Sequence, residues 1–383
     1  MKIPEIETVC FIGAGTMGCF NALMAAVAGY RAVIYDVSEE ALSNAPQGLN
    51  GMAGYLAGEG FFPEEAIADA LARITVCPDL GAATANAELV SESVSERLEI
   101  KREVHRNLDA ICNAGTLITT NTSSLLVSQI EDVLVHGERF AALHSHLGSV
   151  LIDIVGGPRT SAHTIDVLER YVVSIQGMPL VLKKENPGYV LNAILGPLLT
   201  IAKVLVIERL ATPEDVDRAW MLHQHAPIGP FGLMDFFGLN IIFDSWQMPK
   251  PGRAHLQDKV LSFITPYIEN NTLGVKTGEG FYSYPQPQYQ QSNFLEDQAD
   301  LSVIYQALVC VLIANAVVIA KDNVAEPYEI DRAWTVSMSL VKGPFGLLDE
   351  MGIDTFLASL SELVEKGLLG DELAERAESY LRY

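Results

Sequence analysis

A largely parallel α/β domain followed by two all-α units is the architecture this 383-residue sequence predicts. Three observations lead there. Apolar, strand-like runs alternate with helical patterns through the first half, the order that yields a parallel sheet covered by helices. After Asn186, Pro187 and Gly188 the strand signals stop and long apolar helices take over. The helical part then repeats: DRAW followed by GPFG occurs twice, with Trp334 lying 114 residues beyond Trp220 and Gly343 the same distance beyond Gly229. The expected organisation is an α/β domain at 1–185, a first helical unit at 186–285, a Pro- and Gln-rich linker at 286–300 and a second helical unit at 301–383.

The first element is TVCFI, a strand that ends in the glycine turn GAGTMG. An apolar helix follows, then a second strand, RAVIYD, ending at Asp36. RITVC, AELVSES, GTLITTNTS, ERFAALHSH and PLVLKK are the further strand candidates. In the second helical unit, 301–320 carries no charge over 20 residues, enough to span a bilayer. Ser302, Gln306 and Asn315 would be costly in lipid, and no basic cluster flanks the segment. A buried helix is expected instead, and its repeat partner, 187–206, carries Lys203 and reads as a helix of a soluble protein, so 301–320 is expected to be one too.

Forty-eight acidic against 25 basic residues give a net charge of −23. That field repels nucleic acid and anionic membranes, so neither is expected as a partner. The first residues lack the apolar core of a secretory signal. The five cysteines are odd in number and without metal-type spacing, which reads as reduced thiols in a cytoplasm.

The glycine turn holds Gly13, Ala14, Gly15, Thr16, Met17 and Gly18 between a strand and a helix, the arrangement of a Rossmann-type dinucleotide site. Its glycines allow a tight turn, close approach of a pyrophosphate and close helix packing, and the helix N-terminus favours the phosphate charge. Asp36, 18 residues past Gly18, can accept from a ribose 2′-hydroxyl and would repel a 2′-phosphate, which favours NAD over NADP. A turn kept for packing alone would leave Asp36 unexplained.

FIGAGTMG, ESVSERLEIKREVHRNLD, TNTSSL, ERFAALH, NPGYVLNAIL, PIGPFGLMDFFGLN and KTGEGFYSY together resemble the NAD-dependent L-3-hydroxyacyl-CoA dehydrogenase family over nearly all of residues 8–284. The stretch 301–355 resembles the second C-terminal unit of that family's longer members. The resemblance implies an oxidoreductase taking a 3-hydroxyacyl-CoA to its 3-oxo form, with His144 as catalytic base and Ser123 near the substrate hydroxyl and nicotinamide. It also implies that Asn192 contacts the substrate and that Glu96 and Lys101 hold the nicotinamide end. A histidine base suits the chemistry because its pKa lies near neutrality, and a carboxylate on its far nitrogen fixes the tautomer.

The active-site stretch departs from the family. FAALHSHLGSVLIDIVGG has His144-Ser-His146 where the family reads His-Phe-Phe-Asn-Pro, and Gly156 where the family has a glutamate. Aligning GGPRTS with the family's downstream Pro-x-Thr-Ser implies a three-residue deletion that brings Asp153 to the glutamate's place. Asp153 is then the orienting carboxylate; the plainer readings are a core histidine and a surface aspartate. His146 shares a strand face with His144 and reads first as a polar rim residue, otherwise as a spare base or substrate contact. His144, His146 and Asp153 are also metal-ligating types, but no further ligand is placed by motif and no metal is expected.

The segment 32–72, where family members carry an often lysine-rich arm on the CoA moiety, contains no Lys or Arg. An acyl-CoA thioester is the leading substrate class, with a free hydroxy acid, as in the gulonate and carnitine relatives, as the enzymatic rival. A non-catalytic NAD-binding protein is the third reading. The helical repeat makes a monomer or a homodimer expected, with the second unit standing where short members dimerise.

Overall fold

In the computed structural model, the apolar runs of the first half become strands β1 (Thr8–Ile12), β2 (Arg31–Tyr35), β3 (Ile74–Val76) and β4 (Leu89–Glu92). They are followed by β5 (Leu117–Thr120), β6 (Phe140–Ser145), β7 (Leu151–Gly156) and β8 (Met178–Leu182). Among the described residues these form one sheet in the order β3-β2-β1-β4-β5-β6-β7-β8. Residues 2–247, 254–296 and 300–382 are described. β1 and β4 are buried at every residue, whereas β2, next to the edge strand β3, alternates buried and more exposed positions. That gradient is the signature of a parallel sheet covered on both faces.

One pairing breaks the parallel pattern. β6 and β7 run antiparallel, with His144 opposite Asp153 and Ser145 opposite Ile152. LIDIVG is absent from the strand candidates above because it follows β6 without an intervening helix. The short connection, with Gly148 at φ 72°, permits only an antiparallel neighbour.

The chain falls into two compact units, Met1–Tyr189 with Asn323–Ala325, and Val190–Asp322 with Glu326–Tyr383. Apart from 186–189 and 323–325, both helical repeats thus lie in the second unit. Its helices Leu191–Ile207 and Ser302–Lys321 pack against each other. The latter is long and apolar enough to cross a membrane, with a mean hydropathy of 2.4. Its Leu308, Leu312, Ile313, Ala314 and Val317 are fully buried, and the helices Pro213–Gln224, Pro344–Met351 and Asp371–Leu381 also pack on it. It is the central helix of this unit. Lys203, whose charge argued above against a membrane span, is itself buried and donates from Nζ to the Leu199 carbonyl at 2.6 Å. The helix is internal because of its neighbours, not because of that charge.

The repeated DRAW and GPFG have one physical cause. Asp217 accepts from the Phe231 and Gly232 N–H groups at 2.7 and 2.9 Å, capping the helix Pro230–Phe237 from a neighbouring helix. Asp331 does the same for Phe345 and Gly346 at 2.8 and 3.0 Å. A Cβ on Gly229 or Gly343 would meet the capping aspartate's own Cα at 2.5 Å, so only glycine lets the two helices close. Trp220 and Trp334, one from each DRAW, meet edge to face at 6.4 Å in the core between the repeats.

The expected linker is not a loose tether over its described part. Tyr289 and Phe294 are buried, Tyr289 packs on Tyr282 at 5.0 Å between ring centres, and Arg218 donates to the Phe294 carbonyl at 2.7 Å. Residues 297–299 of that stretch lie outside the described residues.

Candidate active site

The glycine turn connects β1 to the helix Thr16–Val27, which has no side-chain cap at Gly15. Each glycine does a different thing. Gly13 sits at φ 108° with its backbone against Ser93, where a Cβ would lie 2.7 Å from a carbonyl oxygen. A Cβ on Gly18 would fall 1.8 Å from the Gly13 carbonyl oxygen, so helix and turn could not close. Beside Gly15 there is open space for at least 4 Å, which suits the approach of a pyrophosphate to the uncapped N–H groups. Asp36, just beyond β2, accepts from the Ala14 N–H at 2.7 Å and the Ser38 N–H at 2.9 Å. Ala14 therefore spends its N–H on Asp36, which braces the turn. These residues fit a dinucleotide.

Asp36→Ala should raise the KM for NAD by about tenfold, the value of a charged hydrogen bond, and narrow the preference over NADP. Comparing kcat/KM for the two cofactors checks this, and equal wild-type use of both would refute the assignment.

At the ends of β4 and β5 a charge network running from the exposed Glu96 to the buried Lys101 and Glu92 shapes the next loop. Glu96 Oε1 accepts from the Thr122 hydroxyl at 2.6 Å, from the Ser123 and Ser124 N–H groups at 2.8 Å each, and from the Ser124 hydroxyl at 3.0 Å. Lys101 is fully buried, with Nζ 2.7 Å from Glu92 Oε1 and 3.5 Å from Glu96 Oε2. With its ammonium enclosed, Lys101 acts on the loop through these two carboxylates. Glu92 also accepts from His105 Nε2 at 2.9 Å and the Thr120 hydroxyl at 2.7 Å. Burial pushes the Glu92 carboxyl up, but His105 and Lys101 outweigh it and hold the pKa at about 2. Glu92 and His105 were not singled out from sequence; only their place at a strand end and on a helix face could have suggested them.

The loop so held presents Ser123, whose hydroxyl lies 3.0 Å from His144 Nε2. His144 Nδ1 is 2.9 Å from Asp153 Oδ2 across the β6–β7 pair. The register that makes them directly opposite is what lets the shorter aspartate reach. His146, expected first as a rim residue, has Nε2 2.9 Å from the same Asp153 oxygen, and its ring meets His144 edge-on at 4.4 Å. Two residues apart on one face, both imidazoles converge on one carboxylate. Asn121 ties this strand end down by accepting from the Ser145 N–H at 2.9 Å.

Asp153 is fully buried and His144 nearly so. Burial lowers the His144 pKa below its ordinary 6.5, with the Asp153 hydrogen bond working the other way, so the imidazole is neutral near pH 7. Asp153 stays ionised: burial raises its pKa, but hydrogen bonds from both histidines outweigh this. Tyr189, at φ 52°, lays its ring 5.2 Å from the His144 ring. Asn192 lies in the first turn of the helix Leu191–Ile207, in the second unit. Ser123, His144 and Asp153 are thus assembled within the first unit alone.

A glycine turn with an uncapped helix behind it and a neutral buried imidazole at a strand end fit a dinucleotide-dependent oxidoreductase. The model of the 3-hydroxyacyl-CoA dehydrogenase NAD binding domain matches residues 8–185, and that of the 3-hydroxyacyl-CoA dehydrogenase C-terminal domain matches 188–284 and 304–381. The chain belongs to the 3-hydroxyacyl-CoA dehydrogenase family and is NAD-dependent. It is 31% identical over 292 residues to the human mitochondrial hydroxyacyl-coenzyme A dehydrogenase, covering 73% of this chain and 91% of that one. Among solved structures it resembles a diketoreductase acting on dicarbonyl compounds, with TM-score 0.69 and 32% identity over 74% of this chain and 100% of that one. The Escherichia coli 3-hydroxybutyryl-CoA dehydrogenase shares the fold over 99% of both chains, with TM-score 0.81 at 23% identity.

Proposed function

We propose that this enzyme interconverts a 3-hydroxyacyl-CoA and its 3-oxo form, with His144 as the base. The observation that carries the reading is the line Ser123, His144, Asp153, with contacts of 3.0 and 2.9 Å on opposite ring nitrogens. Asp153, as an anion, accepts a hydrogen bond from the Nδ1–H of His144 and so keeps the Nε2 lone pair on the Ser123 side. Nε2 then accepts the proton of a secondary alcohol, and the imidazolium so formed is stabilised by Asp153. Ser123 shares its hydrogen bond with the substrate hydroxyl and orients it. Bound NAD supplies the acceptor for the hydride that leaves the carbinol carbon. In reduction His144 returns the proton. Asn192, by family resemblance, contacts the substrate.

The CoA carrier is supported by the relatives' names. A free hydroxy acid or a dicarbonyl compound is the second reading, favoured by the absence of any Lys or Arg in 32–72. NADH formation with a panel of 3-hydroxyacyl-CoA thioesters and the matching free acids separates the two. We expect kcat/KM to favour the thioesters; turnover of free acids at equal or greater efficiency would overturn the CoA assignment, and no turnover of either would favour a protein that only binds NAD.

A further inference from the structure

We infer that His144, His146 and Asp153 form a transition-metal site, and that a Zn2+ ion held there switches the enzyme off. Their ligand atoms, one from each residue, all lie within 4.8 Å of one another. His144 Nδ1 and His146 Nε2 each stand 2.9 Å from Asp153 Oδ2. A tetrahedral Zn2+ with bonds of about 2.0–2.1 Å needs donors roughly 3.3 Å apart, so the two 2.9 Å pairs must open slightly and the wider separation, within 4.8 Å, must close as the side chains rotate about the ion. A second observation points the same way. Asp153 Oδ1 is buried and has no hydrogen-bond partner among the described residues, so the carboxylate has ligating capacity that the two histidines leave unused. Two imidazoles and one carboxylate suit Zn2+, Ni2+ or Cu2+ and not the oxygen-seeking Mg2+ or Ca2+. His146, more exposed than its two partners, leaves the fourth position to water.

The consequence for activity is a matter of tautomers. Without metal, His144 carries its proton on Nδ1 and offers the Nε2 lone pair. A cation on Nδ1 moves that proton to Nε2, and His146 correspondingly carries its proton on Nδ1. No proton is gained or lost in total, but the base has lost its lone pair. The metal binding stands on geometry alone; the inhibition rests on His144 being the base.

The test titrates Zn2+ against the full chain with a chromophoric chelator, in the wild type, His146→Gln and Asp153→Asn, with NADH binding read by fluorescence to show that each is folded. The wild type should take up one more ion per chain than either variant, or bind it at least about tenfold more tightly. Its NADH formation should fall by tenfold or more with the ion bound and return with a chelator. Equal stoichiometry and affinity in all three folded proteins would overturn the site. The base assignment is read separately, without metal, from His144→Gln: an active variant sinks that assignment while the titration still reports on the site.

Discussion

His144→Gln is expected to lower kcat by about 10²–10⁴-fold while NADH still binds, because glutamine keeps a hydrogen bond to Asp153 but cannot take a proton. The pH profile makes the result specific. Alcohol oxidation needs neutral His144, and burial depresses its pKa below 6.5. The wild-type oxidation rate should therefore hold as pH falls through 6.5 and drop only at the lower, depressed value. Ketone reduction, which needs the imidazolium, should gain over the same range. The glutamine variant should lose that titration from both directions. Asp153→Asn removes the charge that stabilises the imidazolium and should cost less than His144→Gln, and His146→Ala less again. A glutamine variant within a few-fold of wild type, with the same pH profile, would remove His144 from the chemistry. A His146 variant as inactive as the His144 variant would move the base to His146.

Deleting 290–383 should leave an aggregated or newly dimeric product with a destabilised helical unit. The truncation removes the helix Ser302–Lys321, whose buried face packs on Leu191–Ile207, and Trp334, which is fully buried against Trp220. Exposing apolar surface of this extent costs about 25 cal/mol per Å² and invites self-association. Phe294 and its contact with Arg218 go as well. Light scattering and thermal denaturation on the full chain and the truncation read the outcome. A soluble, fully active monomer from the shorter chain would show that the second repeat is dispensable to the first.

The sequence carried the glycine turn almost completely. Gly13, Gly15 and Gly18 are local requirements of a strand, a turn and a helix, and a local pattern states them without help from the rest of the chain. It carried the repeat for the same reason, although only the structure shows that DRAW and GPFG recur because an aspartate caps the helix that starts after a glycine. Ser123, His144 and Asp153 came from resemblance and alignment, not from spacing. The deletion argument named Asp153, and the antiparallel register explains why an aspartate reaches.

What the sequence by itself determined is the succession of an α/β part and a helical part, the glycine turn between a strand and a helix, and the presence of two copies of one helical unit. All of these are contiguous patterns whose physics acts within a few residues. Only the tertiary structure decided the placing of His146 on Asp153, the burial of Lys101 and Lys203, and the network of Glu92 with His105. Each depends on which strand or helix end lies beside it, and on whether water is excluded there. A buried charge reads in sequence like any exposed one, because its partner is supplied by folding.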